Sequence, residues 1–384
     1  MRLKQQHTNT QQSADKQKAH ASNIRLKSGI DGILLGFWFL TCTFNFSISC
    51  GSGQTEFQFY ACCKPCSLFA TSKNNTIPIR NDHMPDNNFE VIIIGGSYSG
   101  LSAAMSLGRA LRNVLIIDSG NPRNKQTPHS HNFLTQDGKT PSQISTLAKE
   151  QVSQYITIKF YSGLAVSATK TEKGFEIKTQ TGELFYSKKV ILATGLKDIM
   201  PDIKGFAECW GISVIHCPYC HGYEVKNERT GILGNGEYGF EFSRLVNNWT
   251  KDLTLYTNGK STLTKEQSDK LKKHDIPIVE KEIDGFEHVN GQIQNIVFND
   301  NSKISITAIY ARPMLMQHSE IAAQIGCELT EQGLVKVDTS QKTTINGVFA
   351  CGDNSNSSRD IALAVSAGMV AGSTVNKEII QEEF

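Results

Sequence analysis

Val91-Ile92-Ile93-Ile94-Gly95-Gly96-Ser97-Tyr98-Ser99-Gly100 is an apolar run that stops at paired glycines and leads into Leu101-Ser-Ala-Ala-Met-Ser-Leu107, which has helical periodicity. An uninterrupted β-branched run reads as a strand buried on both faces, followed here by a turn and a helix. Gly95 permits the tight bend and Gly100 lets helix and strand approach, while the amides at the helix start face outward to hold a pyrophosphate. Ser97 stands where a second glycine is usual, and its side chain is small enough to leave room for phosphate. The next strand, Val114-Leu-Ile-Ile117, ends in Asp118, at the distance where a carboxylate reaches a ribose hydroxyl. An ordinary αβ turn would not call for that acid.

A second copy follows at Thr230-Gly-Ile-Leu-Gly234, running into Gly234-Asn235-Gly236-Glu237-Tyr238-Gly239 and the helical stretch Phe240-Glu-Phe-Ser-Arg-Leu-Val246. All three glycines of the dinucleotide turn, Gly234, Gly236 and Gly239, are present. The strand after it, Leu253-Thr-Leu-Tyr256, ends in Thr257-Asn258-Gly259-Lys260, with neither an acid for a ribose nor arginines for a 2′-phosphate, so the residues leave NADH and NADPH open. Between the two turns lies Val190-Ile-Leu-Ala193-Thr194-Gly195, a buried strand ending at small residues. Near the end, Gly347-Val-Phe-Ala350-Cys351-Gly352-Asp353 again delivers an acid at the end of an apolar strand, before the helix Ile361-Ala-Leu-Ala-Val-Ser-Ala-Gly368. The fold class is α/β with two Rossmann-like nucleotide-binding domains.

Cys217-Pro218-Tyr219-Cys220 lies between the two turns and His221 follows it at once. Paired thiols within joining reach can store two electrons without releasing radicals, and a helix start or a nearby cation lowers the pKa of such a sulfur. Histidine titrates near neutrality and can move the accompanying proton, although a histidine beside a turn can equally cap backbone groups. Cys-Pro-Tyr-Cys is also a glutaredoxin signature, but there it follows the module's own first strand, whereas here it precedes a nucleotide turn.

The chain has 384 residues, 39% hydrophobic, and a formal net charge of only +2. That length suits two globular units, and the charge supplies no field to recruit nucleic acid or an anionic membrane. The ten cysteines are not arranged as a secreted disulfide scaffold, and a pair that cycles between thiol and disulfide fits the reducing cytoplasm. No Ser-His-Asp, paired-carboxylate or HExxH arrangement is present, and no metal is expected. His129, His131 and His318 could each approach a bound cofactor or the substrate, but read first as loop or core histidines.

Residues 1–83 differ from the rest: a basic, Gln- and His-rich start, an uncharged stretch from Gly32 to Thr55, then Cys62, Cys63 and Cys66. The apolar stretch Gly32–Leu40 is diluted by polar residues and is a weak candidate for a signal or anchor; Ser49-Cys50-Gly51 is a weaker one for lipid attachment. The cysteine cluster lacks a second Cys/His pair at ligand spacing. The preferred expectation is a functional start at Met84, with the extension disordered or outside the functional protein.

Taken together, these residues resemble the flavoprotein disulfide reductases of the low-molecular-weight thioredoxin reductase type, over residues 88 to 380. Asp118-Ser-Gly-Asn-Pro-Arg-Asn124, His131-Asn-Phe-Leu134 and Cys217-Pro-Tyr-Cys-His-Gly-Tyr-Glu224 are similar to the branch that includes fungal dithiol oxidases and bacterial relatives. The resemblance implies FAD on Gly95, Gly96, Ser97, Gly100 and Asp118, on Ala193, Thr194 and Gly195, and on Gly352, Asp353 and Ile361. It implies a nicotinamide, NADPH before NADH, on Gly234, Gly236 and Gly239. It also implies an FAD domain split into 84–202 and 307–384 around an inserted NAD(P)H and redox domain, 203–306, and a homodimer. Cys220 would face the flavin and Cys217 the substrate, with His221 in place of the aspartate of thioredoxin reductases.

The leading expectation is therefore a reductase passing electrons from NAD(P)H through FAD and the sulfur pair to a thioredoxin-like protein or small disulfide. A dithiol oxidase using oxygen and a non-catalytic flavin-binding protein are the alternatives.

Overall fold

The computed structural model describes residues 87–384, which fall within one compact unit, Asn81–Phe384. The expectations for residues 1–83, including Met84 as the start and the Cys62, Cys63, Cys66 cluster, lie outside the described residues.

In chain order the elements begin β1 (Asn88–Ile94), α1 (Tyr98–Arg109), β2 (Val114–Asp118), α2 (Pro141–Ser153), β3 (Ile158–Ser162), β4 (Ala165–Thr171), β5 (Gly174–Thr179) and β6 (Leu184–Leu192). They continue with β7 (Leu196–Ile199), α3 (Phe206–Cys209), β8 (Val214–Ile215), α4 (Pro218–His221), β9 (Thr230–Leu233), α5 (Gly236–Val246), β10 (Leu253–Tyr256), α6 (Lys265–Lys273) and β11 (Ile278–Val279). The last are β12 (Ile283–Val289), β13 (Gln292–Phe298), β14 (Lys303–Ser305), β15 (Ala308–Ala311), β16 (Met314–Gln317), α7 (Ile321–Ile325), β17 (Val348–Ala350) and α8 (Ile361–Glu383).

The first sheet runs β3-β2-β1-β6-β5-β4, with β17 also on β6. β6 is long enough for two partners on one edge: its first half pairs antiparallel with β5 and its last residues pair parallel with β17. Val91, Ile92 and Ile93 are wholly buried because helices cover one face and the β4–β5 hairpin and α7 the other, as an unalternating apolar strand requires. α8 lies on α1 along small residues. A Cβ on Gly368 would stand 2.1 Å from the Ser99 carbonyl oxygen, and one on Gly372 2.5 Å from that of Ala103, so only glycine permits this approach.

The second sheet, β11-β10-β9-β15-β8, is parallel throughout. The antiparallel β12-β13-β14 packs beside it through Phe286, Ile296 and Phe298, and the β7–β16 pair connects the two sheets in sequence. The return to the first sheet therefore comes after β15 and not at 307. Ile309 and Tyr310 pair with Gly231 and Ile232 of β9 on one side and with Val214 and Ile215 of β8 on the other, which assigns all of buried Ala308–Ala311 to the second sheet. Among the described residues, no helix is long and apolar enough to cross a membrane.

Register decides the placement of the site. Ile94 pairs with both Ile117 and Leu192, and Leu192 with Ala350, so the residues following β1, β2, β6 and β17 emerge side by side at the carboxyl ends of their strands. In the second sheet the same end carries Gly234 after β9, Thr257 after β10, Arg312 after β15 and His216-Cys217 after β8.

Candidate active site

A cavity of about 560 Å³ runs from the first glycine turn to Cys220 and His221. Its end at the first glycine turn is shaped by close backbone approach. A Cβ on Gly95 would stand 2.2 Å from the Ala193 carbonyl oxygen, at a φ of +109° that disfavours any side chain, and one on Gly100 would stand 1.9 Å from the Gly95 oxygen. Ser97 caps α1 without a side-chain hydrogen bond, and the first helical turn holds no acid, so the N-terminal amides stay available for an anion. Asp118 Oδ1 accepts from the Gly96 N–H at 3.2 Å, and its Oδ2 is 3.2 Å from Lys149 Nζ of α2.

The cavity is also lined by Ala193, Thr194 and Gly195 after β6, beside the turn, by Asp353 after β17, and by Ile361 at the start of α8. Gly100 and Gly352 lie behind the lining and act as spacers; a Cβ on Gly352 would reach within 2.5 Å of Ser99 Oγ. Desolvation raises the Asp353 pKa above the usual carboxylate value. Arg123 grips Asp198 with two bonds of 2.7 Å, while the buried Nε of Arg359 has no partner in the protein. An orphaned guanidinium nitrogen beside an open turn, a placed acid and a cavity of this shape fits a flavin dinucleotide.

At the far end Cys217 caps α4, and its Sγ lies 2.7 Å from that of Cys220. The Cys220 thiol donates to Cys217, and that bond, with the backbone N–H groups of Cys220 and Tyr219 near the sulfur, holds the Cys217 pKa down at about 7 despite burial. Donating that hydrogen bond, with burial, drives the Cys220 pKa up. Cys220 is on the cavity wall and Cys217 is not, so the sulfur that ionises readily is turned away from the cavity. Burial keeps the His221 pKa below the ordinary imidazole value, leaving a neutral ring that can accept a proton at pH 7. Because the depressed pKa puts the thiolate above pH 7 and the thiol below it, alkylation of Cys217 by iodoacetamide should be half-maximal near pH 7. Cys220→Ala should move that midpoint upward by removing the thiol donor. Mass analysis of the labelled peptide as a function of pH reads both.

The second turn has the right backbone but engaged donors. Gly236 has φ +54°, and a Cβ on Gly239 would lie 3.1 Å from the Gly234 backbone, which gives the close helix–strand approach of a dinucleotide fold. The side chain of Asn235, however, spans the cleft beside it. Its Oδ1 accepts from Gly236 N–H and Thr262 N–H, each at 2.8 Å, and its Nδ2 donates to the Lys260 carbonyl at 2.9 Å. Glu237 also places an acid in the first turn of α5. The backbone of this turn suits a nicotinamide dinucleotide, while its Gly236 N–H is engaged by Asn235. Gly234, Gly236, Gly239 and Cys217 are not part of the first cavity.

Sequence reasoning missed His216 and Tyr310, and placed three other histidines first among loop or core residues. His129, His131 and His318 all reach the cavity, because the 119–140 loop folds across it and the strand pair β7–β16 carries His318 to its edge. His216 lines it too; desolvation, with Arg123 and Arg359 nearby, drives its pKa down to about 3, so it stays neutral. The fully buried Tyr310 hydroxyl has no hydrogen-bond partner. The loop histidines gave no periodic signal, but their clustering ahead of Asn132-Phe133-Leu134 was a visible one.

The sequence profile of the family described as pyridine nucleotide-disulphide oxidoreductase matches residues 89–371. Among curated relatives, Thioredoxin reductase tcpT of Claviceps purpurea is 32% identical over 77% of this chain and 96% of its own length. Thioredoxin reductase sirT of Leptosphaeria maculans is 32% identical over 75% of this chain and 93% of its own length. Among solved structures, an oxidoreductase from Agrobacterium tumefaciens superimposes with a TM-score of 0.72 at 34% identity, covering 76% of this chain and 99% of that one.

Proposed function

The chain belongs to the pyridine nucleotide-disulphide oxidoreductases, among relatives of the low-molecular-weight thioredoxin reductase type, and from that premise we propose that it exchanges electron pairs between FAD in the first cavity and a substrate disulfide or dithiol through Cys217 and Cys220. The observation that carries this reading is the position of Cys220 on the wall of the cavity that begins at the first glycine turn. When bound, the flavin supplies a two-electron carrier. Gly95, Gly96, Ser97, Gly100 and Asp118 would hold its phosphates and ribose, with Ala193, Thr194, Gly195, Gly352, Asp353 and Ile361 along the remainder. Cys217 attacks the substrate sulfur, Cys220 joins it, and His221 holds the proton.

The leading form is a reductase that draws electrons from NAD(P)H at Gly234, Gly236 and Gly239 and passes them to a thioredoxin-like protein or small disulfide. The names of the curated relatives support it. A second form, a dithiol oxidase that passes electrons to oxygen, is favoured by Asn235, which occupies the Gly236 amide at the turn where a dinucleotide would bind. The proposed setting is a cytoplasmic homodimer, in keeping with the free thiols of Cys209, Cys327 and Cys351.

Anaerobic titration of the purified protein separates the forms. Bleaching of the flavin by NADH or NADPH supports the reductase. Bleaching by a dithiol alone, with rapid reoxidation in air and no response to either nicotinamide, supports the oxidase. A flavin that responds to none of these reagents overturns both.

A further inference from the structure

We propose that Glu224, His131 and Asp137 form the path by which the proton of the sulfur exchange travels between His221 and solvent. The inference rests on the proposed role of His221 and goes beyond it by naming where the proton leaves.

Joining Cys217 and Cys220 breaks two S–H bonds and forms one S–S bond. The electron pair and one proton pass to the flavin, and the second proton, released as Cys217 becomes a thiolate or as the sulfurs join, needs a base. His221 is half-buried on the cavity wall and its pKa is held down by desolvation, so once the cavity is filled a proton placed on it needs an outlet. His131 provides the bridge: its Nε2 lies 3.5 Å from Glu224 Oε1 and its Nδ1 3.4 Å from Asp137 Oδ2. Glu224 follows His221 in the redox segment, and its charge and that of His131 both act on His221. The His131 side chain is 20% exposed, whereas those of Glu224 and Asp137 are 42% and 65% exposed, so the series runs from the cavity wall outward.

The loop is built to hold this geometry. Ser130 and Lys139 bridge across it, Gly138 N–H donates to the Ser130 carbonyl, and Asn132 N–H donates to Asp137 Oδ1 at 2.8 Å. The titratable groups facing His131 are His129 and Asp137 on its own loop, Glu224 and His221 on the redox segment, and Asp360 at the start of α8, which Asn132 Nδ2 approaches at 3.5 Å.

The test uses flavin-loaded protein and His131→Gln, which keeps hydrogen-bonding capacity but cannot carry a proton at neutral pH. Stopped-flow reduction of the flavin by dithiothreitol should slow by about 10- to 100-fold, and added imidazole should restore the rate. His221→Ala should be slow, and the double variant no slower, because both residues lie on one path. Independently of turnover, carbon-13 NMR of labelled histidine rings should show the His221 midpoint moving upward in His131→Gln, since burial, the main cause of its lowering, remains but the smaller contribution of His131 is gone. A wild-type rate in His131→Gln with a slow His221→Ala overturns the path and spares the His221 role; a wild-type rate in His221→Ala overturns that role first. Slowing that imidazole does not relieve makes His131 a support of the loop only and overturns the path. If His131→Gln does not fold, Glu224→Gln is read by the same rates and the same rescue.

Discussion

Cys220→Ser should lose flavin-to-sulfur transfer by at least about a thousand-fold, the scale on which removal of a covalent catalytic group is felt, while the protein stays folded and yellow. Cys217→Ser should instead gain a broad absorbance at wavelengths beyond the flavin band. The reason lies in the coupling of the two sulfurs. The hydrogen bond that Cys220 donates to Cys217 is the largest contribution to its raised pKa, so replacing Cys217 removes the chief obstacle to a Cys220 thiolate. That thiolate would then stand on the cavity wall, in position to donate charge to the ring. Neither variant can close a disulfide, so neither can turn over; only the spectra tell them apart. A long-wavelength band in Cys220→Ser and none in Cys217→Ser reverses the assignment of the two sulfurs.

Most of the fold was legible because its signals are local. An apolar strand ending in glycine, a helix and a terminal acid identify a nucleotide unit from contiguous residues, and Gly95, Asp118 and Gly234 fall where that pattern puts them. Assignment to one sheet or the other was less legible. Ala308-Ile309-Tyr310-Ala311 reads as a buried strand for either sheet, and only its pairing with β8 and β9 decides, which is why the boundary moved from 307 to beyond β15. The site showed the same division. Cys217, Cys220 and His221 announce themselves by spacing, but Lys149 reaches Asp118 from a helix that has no motif. His131 meets Glu224 only because the loop after β2 folds against the redox segment after β8. Asn235 carries no signal in the sequence beyond its place in the turn, yet its amide oxygen engages the Gly236 N–H and is held there by bonds to Lys260 and Thr262 beyond the next strand.

Gly100→Ala should yield a protein that purifies without flavin and melts at lower temperature. The added methyl would lie 1.9 Å from the Gly95 carbonyl oxygen, 3.0 Å from the Gly95 carbonyl carbon and 3.3 Å from the Ala193 Cβ. The first two contacts are backbone, so no side chain can turn aside to relieve them, and the relief must come from moving α1 away from the end of β1. Overpacking of this kind costs about 1–3 kcal/mol in folding stability. The cost to the cofactor is greater than the cost to the fold, because the amides that begin α1 hold a pyrophosphate only while they keep their spacing from Gly95 and Gly96. Movement of α1 is also opposed by α8, which meets it at Gly368 and Gly372 with no room to spare, so the strain concentrates at the turn. The ratio of absorbance at 450 nm to that at 280 nm measures flavin content, and far-ultraviolet circular dichroism reports whether the chain remains folded. A folded variant with full flavin content and an unchanged melting temperature would show that the first turn does not grip the dinucleotide, and the cavity beyond it would lose its claim to the cofactor.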